Sequence, residues 1–307
     1  MEPHGLHTVL SFLEFLTLFV LFGLLAAKAW LVPANAFQNA ELYARWRQML
    51  LECLGLMMFA SGLLLLVRTA EMDEGSVADA LSDLPAVILQ THFGSVWTFH
   101  LLVLGGLWWY CARFTAPASS LPWCGIVGGA MLALGFTFSA SSHASDSGDF
   151  TLAECNDWLH VTFTSLWGGA ILASALLLFP VLRTGNPAIA TIAVRLSTLA
   201  GFALAGVVVT GLYNASLRIP ELGLLIDSNY GRILCIKLVV VTLVALVGAC
   251  NRFWLVPRLR RAQAGPTSAM ESASRLLFQV LILDVALVVI GVIMASILIQ
   301  MESPVGL

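Results

Sequence analysis

Residues 8–30 read TVLSFLEFLTLFVLFGLLAAKAW, with a single carboxylate, Glu14, and a single cation, Lys28. As a helix rising 1.5 Å per residue this run is about 35 Å long, enough to cross a hydrocarbon core of about 30 Å. A barrel strand would alternate apolar and polar residues over about 10 positions. Here Leu18-Phe19-Val20-Leu21-Phe22 are consecutive, so both sides of any strand would be apolar. The start, Met1-Glu2-Pro3-His4, lacks the basic residues of a secretory signal, and no small-residue cleavage pattern precedes Lys28-Ala29-Trp30, so the run is read as a retained span.

Seven more runs of this kind follow, at about 46–67, 90–112, 121–141, 156–179, 190–215, 230–256 and 276–300. The 307 residues are 59% apolar and 11% charged, with a mean hydropathy of +0.90, against roughly 25% charged in soluble domains. So few charges cannot cover a water-soluble surface, which excludes a soluble enzyme and a disordered chain. A net charge of -3, from 15 Lys and Arg against 18 Asp and Glu, excludes a nucleic-acid binder. The expected fold class is all-α: a polytopic membrane protein of eight transmembrane helices, one domain over residues 1–307.

Cations set the orientation, because basic loops stay in the cytoplasm. The loops after spans one, three, five and seven, with their flanks, hold Lys28, Arg45, Arg47, Arg113, Arg183, Arg195, Arg252, Arg258, Arg260, Arg261 and Arg275, 11 of the 15. The other loops hold Arg68, Arg218 and Arg232 beside acids that include Glu71, Asp73, Glu74, Asp79, Asp83, Asp146, Asp149 and Glu154. Both termini are therefore expected in the periplasm. Lys237 is the one cation inside a span.

The chain also reads as two copies of a four-span unit, residues 1–141 and 156–300. Thr91-His92-Phe93-Gly94 opens the third span as Ser228-Asn229-Tyr230-Gly231 opens the seventh. Leu13-Glu14-Phe15 through Phe22-Gly23 lies against Leu159-His160-Val161 through Gly168-Gly169. An even number of spans gives the copies one orientation, a parallel repeat, with sites expected near the repeat interface.

Ionisable groups inside spans cost several kcal/mol and are functional candidates with partners to be named. Lys237 and Asp284 each lie about eight residues from a span end, roughly 12 Å deep, so a Lys237–Asp284 ion pair bracing two helices is expected. Five of the six histidines fall at or near the outer face: His4, His7, His92, His143 and His160. Only His100 lies deeper. Asp157 and His160, three apart on a helix, share a face and can share a ligand. Imidazole suits copper, zinc, iron or nickel, and Met1, Met72 and Met301 on the same side would favour copper. The candidate metal ligands are thus His143, His160, His92, Asp157, His4 and His7. The six cysteines show no CxxC spacing and are read as free thiols. Trp30, Trp46, Trp123, Trp158 and Trp254 mark span ends, as aromatic belts do.

These residues resemble the bacterial copper resistance protein D (CopD/PcoD) family of the inner membrane. The resemblance rests on Ala29-Trp30-Leu31-Val32-Pro33, Leu89-Gln90-Thr91-His92-Phe93-Gly94-Ser95-Val96-Trp97, Ser142-His143-Ala144, Asp157-Trp158-Leu159-His160 with Leu166-Trp167-Gly168-Gly169, Gly211-Leu212-Tyr213-Asn214-Ala215, Tyr230-Gly231-Arg232 through Lys237, and Asp284. It implies eight membrane helices, an inner-membrane location, and a part in moving periplasmic copper beside a small copper-binding protein of the CopC type. Where many relatives carry a histidine in span one, this chain has Glu14. That residue then either replaces a ligand or carries protons.

No GxxxxGK[ST] motif and no phosphorylatable Asp loop is present, so direct ATP drive is excluded and no enzymatic role is expected. The expected function is copper transport or handling, from periplasm to cytoplasm, in copper homeostasis and resistance. Two alternatives stand beside it. One is a haem-binding electron-transfer protein, the other a non-transporting membrane partner of a periplasmic copper-binding protein.

Overall fold

A computed structural model describes residues 3–72, 80–114, 121–142, 148–182, 185–219 and 221–301, with side chains from Gly5 onward. Every regular element among the described residues is helical, as a lipid solvent demands, because a helix satisfies its own N–H and C=O groups. Helix α1 (Pro3–Ala26) ends in a π-helical turn, Ala27–Leu31, and is followed by α2 (Ala40–Met72). Next, α3 (Ala80–Gln90) meets α4 (His92–Arg113) at 93°. After α5 (Leu121–Ala140), α6 (Leu152–Ala173) passes through a second π-turn into the short α7 (Phe179–Leu182). The chain continues through α8 (Ala188–Arg218), the single turn α9 (Leu224–Asp227), α10 (Asn229–Cys250), α11 (Val256–Ala262) and α12 (Thr267–Leu298). Among the described residues seven helical stretches are long and apolar enough to cross a membrane, and up to eight if the bent α3–α4 pair is one span. The eight apolar runs of the sequence fall on these stretches, though the helices reach beyond several of them, the last beginning at Thr267 rather than at 276.

Bonds between helices fix an up-and-down order. At one end Thr8 donates to Gln300 (3.0 Å), Nε2 of His92 bonds the Ala140 carbonyl (3.0 Å) and Ser139 donates to the Glu154 carbonyl (2.8 Å). At the other end Arg47 donates to the Ala112 carbonyl, Arg195 to that of Trp30 and Arg252 to that of Ser197. Arg47, Arg195 and Arg252 thus lie at one end and His7, His92 and Asp157 at the other.

Helices α1 and α6 are central: 72% and 83% of their most apolar stretches are buried, against 11% for α10. Glycine makes their contact possible. A Cβ on Gly23 would stand 1.9 Å from the Gly169 carbonyl oxygen, and one on Gly169 would stand 1.9 Å from that of Phe19. Small residues let helix backbones approach closely, which in lipid replaces hydrophobic burial as the source of packing energy. The outer surface carries Phe59, Leu102, Phe202, Val209, Phe253 and Trp254, each more than 60% exposed, so the bundle offers lipid an apolar face.

Helices α4 and α10 start with one shared device. The Thr91 hydroxyl accepts from Gly94 N (2.9 Å) and donates to the Val87 carbonyl (2.7 Å); the Ser228 hydroxyl accepts from Gly231 N (2.9 Å) and donates to the Leu224 carbonyl (2.6 Å). The capping glycines admit the preceding backbone, since a Cβ on Gly94 or Gly231 would lie 2.0 or 2.2 Å from those same carbonyl oxygens. Thr91→Ala should cost about 1 kcal/mol, the usual worth of an N-cap. Thermal unfolding in detergent should then fall by about 2 °C; an unchanged midpoint would show that the cap contributes nothing.

Candidate functional site

Two polar clusters lie within the bundle, one in each half of the chain. In the first, four side chains from four helices form a continuous line. The Ser61 hydroxyl on α2 lies 2.6 Å from Oε1 of Glu14 on α1 and 3.1 Å from Nε2 of His100 on α4. Nδ1 of His100 lies 2.7 Å from the Thr137 hydroxyl on α5, which donates to the Leu134 carbonyl at 2.6 Å. All four are at most 1% exposed. Trp97, whose indole N–H donates to the Ser61 carbonyl (3.0 Å), stacks on the His100 ring with centroids 4.8 Å apart. Each of the four side chains takes a place in the line, as buried polar groups must find partners.

The second cluster joins α6 to α8. Asn214 donates from Nδ2 to Oδ1 of Asp157 (2.8 Å), and Asn156 donates to Oδ1 of Asn214 (2.7 Å) and to the Thr210 carbonyl (3.0 Å). One turn further along α6, Nδ1 of His160 lies 2.9 Å from the Thr210 hydroxyl. That hydroxyl spends its one hydrogen on the Gly206 carbonyl at 2.7 Å. It therefore accepts from Nδ1–H, and the neutral imidazole keeps its lone pair on Nε2. A partner on one ring nitrogen that aims the other is the arrangement found behind metal-binding histidines. The ring packs close on α8, where a Cβ on Gly211 would stand 3.0 Å from Cε1.

The other candidate ligands fall in three groups. Nδ1 of His7 pairs with Glu71 (3.1 Å), which also takes Arg68 (3.3 Å). Nε2 of His92 bonds the Ala140 carbonyl and stands 3.8 Å from Asp149. His143 and the His4 side chain lie outside the described residues. Among the described residues no three of His, Cys, Asp and Glu converge on a metal-sized site. Among the described residues Glu14 stands apart from the other candidate ligands: it turns to α2, where the Ser61 hydroxyl meets it at 2.6 Å inside the bundle.

The expected Lys237–Asp284 pair is also corrected. Asp284 accepts from Nδ2 of Asn251 at 3.0 Å, and no ion pair joins it to Lys237. Depth follows from counting residues along a helix, whereas which side chains face each other depends on helix rotation, which counting does not supply. Sequence reasoning passed over Ser61, Thr137, Thr210 and Asn214. Hydroxyls and amides are common in membrane helices, so their type gave no signal.

The model of the copper resistance protein D-like N-terminal domain matches residues 2–152, and that of copper resistance protein D matches residues 190–299. The chain belongs to the copper resistance protein D family. It is 28% identical to copper resistance protein D of Pseudomonas syringae pv. tomato over 225 residues, 70% of this chain and 71% of that one. It is 24% identical to inner membrane protein YebZ of Escherichia coli (strain K12) over 262 residues, 82% of this chain and 85% of that one. No solved structure matches it. As a copper resistance protein D family member it is a multi-pass membrane protein of a family concerned with copper. In this member Asp157 and His160 stand between the two matched regions, on the helix that packs against both α1 and α8.

Proposed function

We propose that this protein moves copper ions across the bacterial inner membrane from the periplasm toward the cytoplasm, with His160 and Asp157 as the ligands that receive the ion within the bundle. The carrying observation is the Thr210 hydroxyl that holds Nδ1 of His160 and leaves Nε2 free, three residues from a carboxylate on the same helix face. Imidazole and carboxylate suit copper, and the family supplies the metal's identity. The end that bears Lys28, Arg45 and Arg113 is cytoplasmic by the basic-loop rule. His7 and His92 then face the periplasm, where acidic loops raise the local cation concentration and a CopC-like protein would deliver the ion. Without a nucleotide motif the movement is passive or ion-coupled. His100 uses both ring nitrogens on Ser61 and Thr137, which speaks against it as a haem ligand.

Proteoliposomes loaded with a copper indicator provide the test. Wild type should take up copper, and His160→Ala and Asp157→Asn should each lower the flux at least ~10-fold, the usual loss when a metal site is damaged. Equal flux in all three would remove His160 and Asp157 from the path, and flux no greater than that of empty liposomes would remove transport itself.

A further inference from the structure

The hydrogen bonds of the Glu14–Ser61–His100–Thr137 line admit only certain positions for the hydrogens. Thr137 has one hydroxyl hydrogen and gives it to the Leu134 carbonyl at 2.6 Å, since two bare oxygens at that distance would repel. Nδ1 of His100, 2.7 Å away, must then be the donor to Thr137. With one proton held between Glu14 and His100, two arrangements satisfy Oε1 of Glu14, the Ser61 hydroxyl and Nε2. In one, Glu14 is a neutral acid that donates to Ser61, and Ser61 donates to a bare Nε2. In the other, Glu14 is a carboxylate that accepts from Ser61, and Nε2–H of an imidazolium donates to the Ser61 oxygen. A carboxylate beside a neutral imidazole leaves one side unsatisfied, because the single Ser61 hydrogen serves either Oε1 or Nε2 and the other then faces an oxygen lone pair in a buried site.

From this geometry we infer that Glu14, Ser61 and His100 form a proton-binding relay, in which α1 and α4 share one proton through the α2 hydroxyl. The step balances within the three side chains. The acid proton of Glu14 passes to the Ser61 oxygen as the Ser61 hydrogen passes to Nε2, so one O–H bond breaks at each oxygen while one O–H and one N–H bond form. No electron is transferred and the net charge of the group stays the same. The result is one positive charge moved from α1 to α4 across the buried interior.

Neighbouring ionisable groups do not offer the line another partner. On α1 and α2, His7 and Glu71 bond each other and Arg68 bonds Glu71. On α4, His92 bonds the Ala140 carbonyl. On α6, Asp157 and His160 are held by α8, and on α12 Asp284 is held by Asn251. On α5, Cys124 lies at the basic end. None of them bonds Glu14, Ser61 or His100. The relay is separate from the His160 cluster and does not depend on the copper reading.

The test uses the full-length protein in lipid nanodiscs without added metal. The infrared carboxylic-acid band that Glu14→Gln removes gives the fraction of neutral Glu14. Nitrogen NMR of the ring signal that His100→Phe removes gives the fraction of neutral His100. The two fractions should be equal across about pH 5 to 8, the range in which histidine ordinarily titrates. They should diverge in Ser61→Ala and stay equal in Ser61→Thr, which keeps the hydroxyl. Unequal fractions in the wild type overturn the relay by themselves, even if Ser61→Ala fails to fold. Equal fractions that persist in a folded Ser61→Ala overturn the role given to the hydroxyl.

Discussion

Gly169→Ala should remove most of the folded protein. One added carbon would stand 1.9 Å from the Phe19 carbonyl oxygen and 2.8 Å from Gly23 N, both backbone atoms. No rotamer change relieves a clash with backbone, so α1 and α6 must part along their whole contact. Overpacking a core usually costs about 1–3 kcal/mol when side chains can yield; here they cannot, and the cost should exceed that range. Against a total stability of about 5–15 kcal/mol the loss is large. The measurement is the yield of monodisperse protein in detergent and its thermal midpoint. Gly55→Ala and Gly129→Ala are the controls, because nothing lies within 4 Å of a Cβ at either site. They should gain up to about 1 kcal/mol from helix propensity. Gly23→Ala should match Gly169→Ala, and the double variant should cost less than the sum, since one separation of the helices relieves both clashes. Wild-type yield and midpoint in Gly169→Ala would mean that α1 and α6 do not meet as described.

Thr210→Val should weaken copper binding by about 10–100-fold, the usual effect of removing the group that orients a metal-binding histidine. Valine keeps the shape of threonine and the apolar packing of α8, so the helix should remain. What goes is the oxygen that accepts from Nδ1 of His160. The imidazole can then place its hydrogen on Nε2, which removes the lone pair that would meet the ion. Calorimetric titration of purified protein with copper reads the change, and Thr210→Ser should restore the affinity. An affinity unchanged in Thr210→Val would show that the threonine does not set the tautomer. A weakened affinity that Thr210→Ser fails to restore would trace the effect to packing instead.

The candidate site was partly legible. Asp157 and His160 stand out in the sequence because charge within a span is rare and their spacing of three places them on one face. The structure keeps them together. Glu14 stood out for the same reason, yet its partners did not, because Ser61 and His100 sit on helices whose rotation no residue count supplies. The Lys237–Asp284 pair failed on that point too. Depth follows from counting along a helix, whereas facing depends on which side of each cylinder turns inward, and that is set by neighbours such as Gly169 and Trp97.

The sequence by itself determined a helical membrane protein, its span positions, the placing of its cations in alternate loops and the family to which it belongs. Each follows from local composition, because a lipid solvent imposes length, apolarity and internal hydrogen bonding on every span separately. Only the tertiary structure decided that Glu14 meets Ser61 and His100, that Thr210 aims His160, and that Asp284 answers to Asn251. In those pairs the partners lie between 33 and 50 residues apart in the chain. Their meeting is fixed by the close approach of glycine-bearing backbones, a property of pairs of helices rather than of either helix alone.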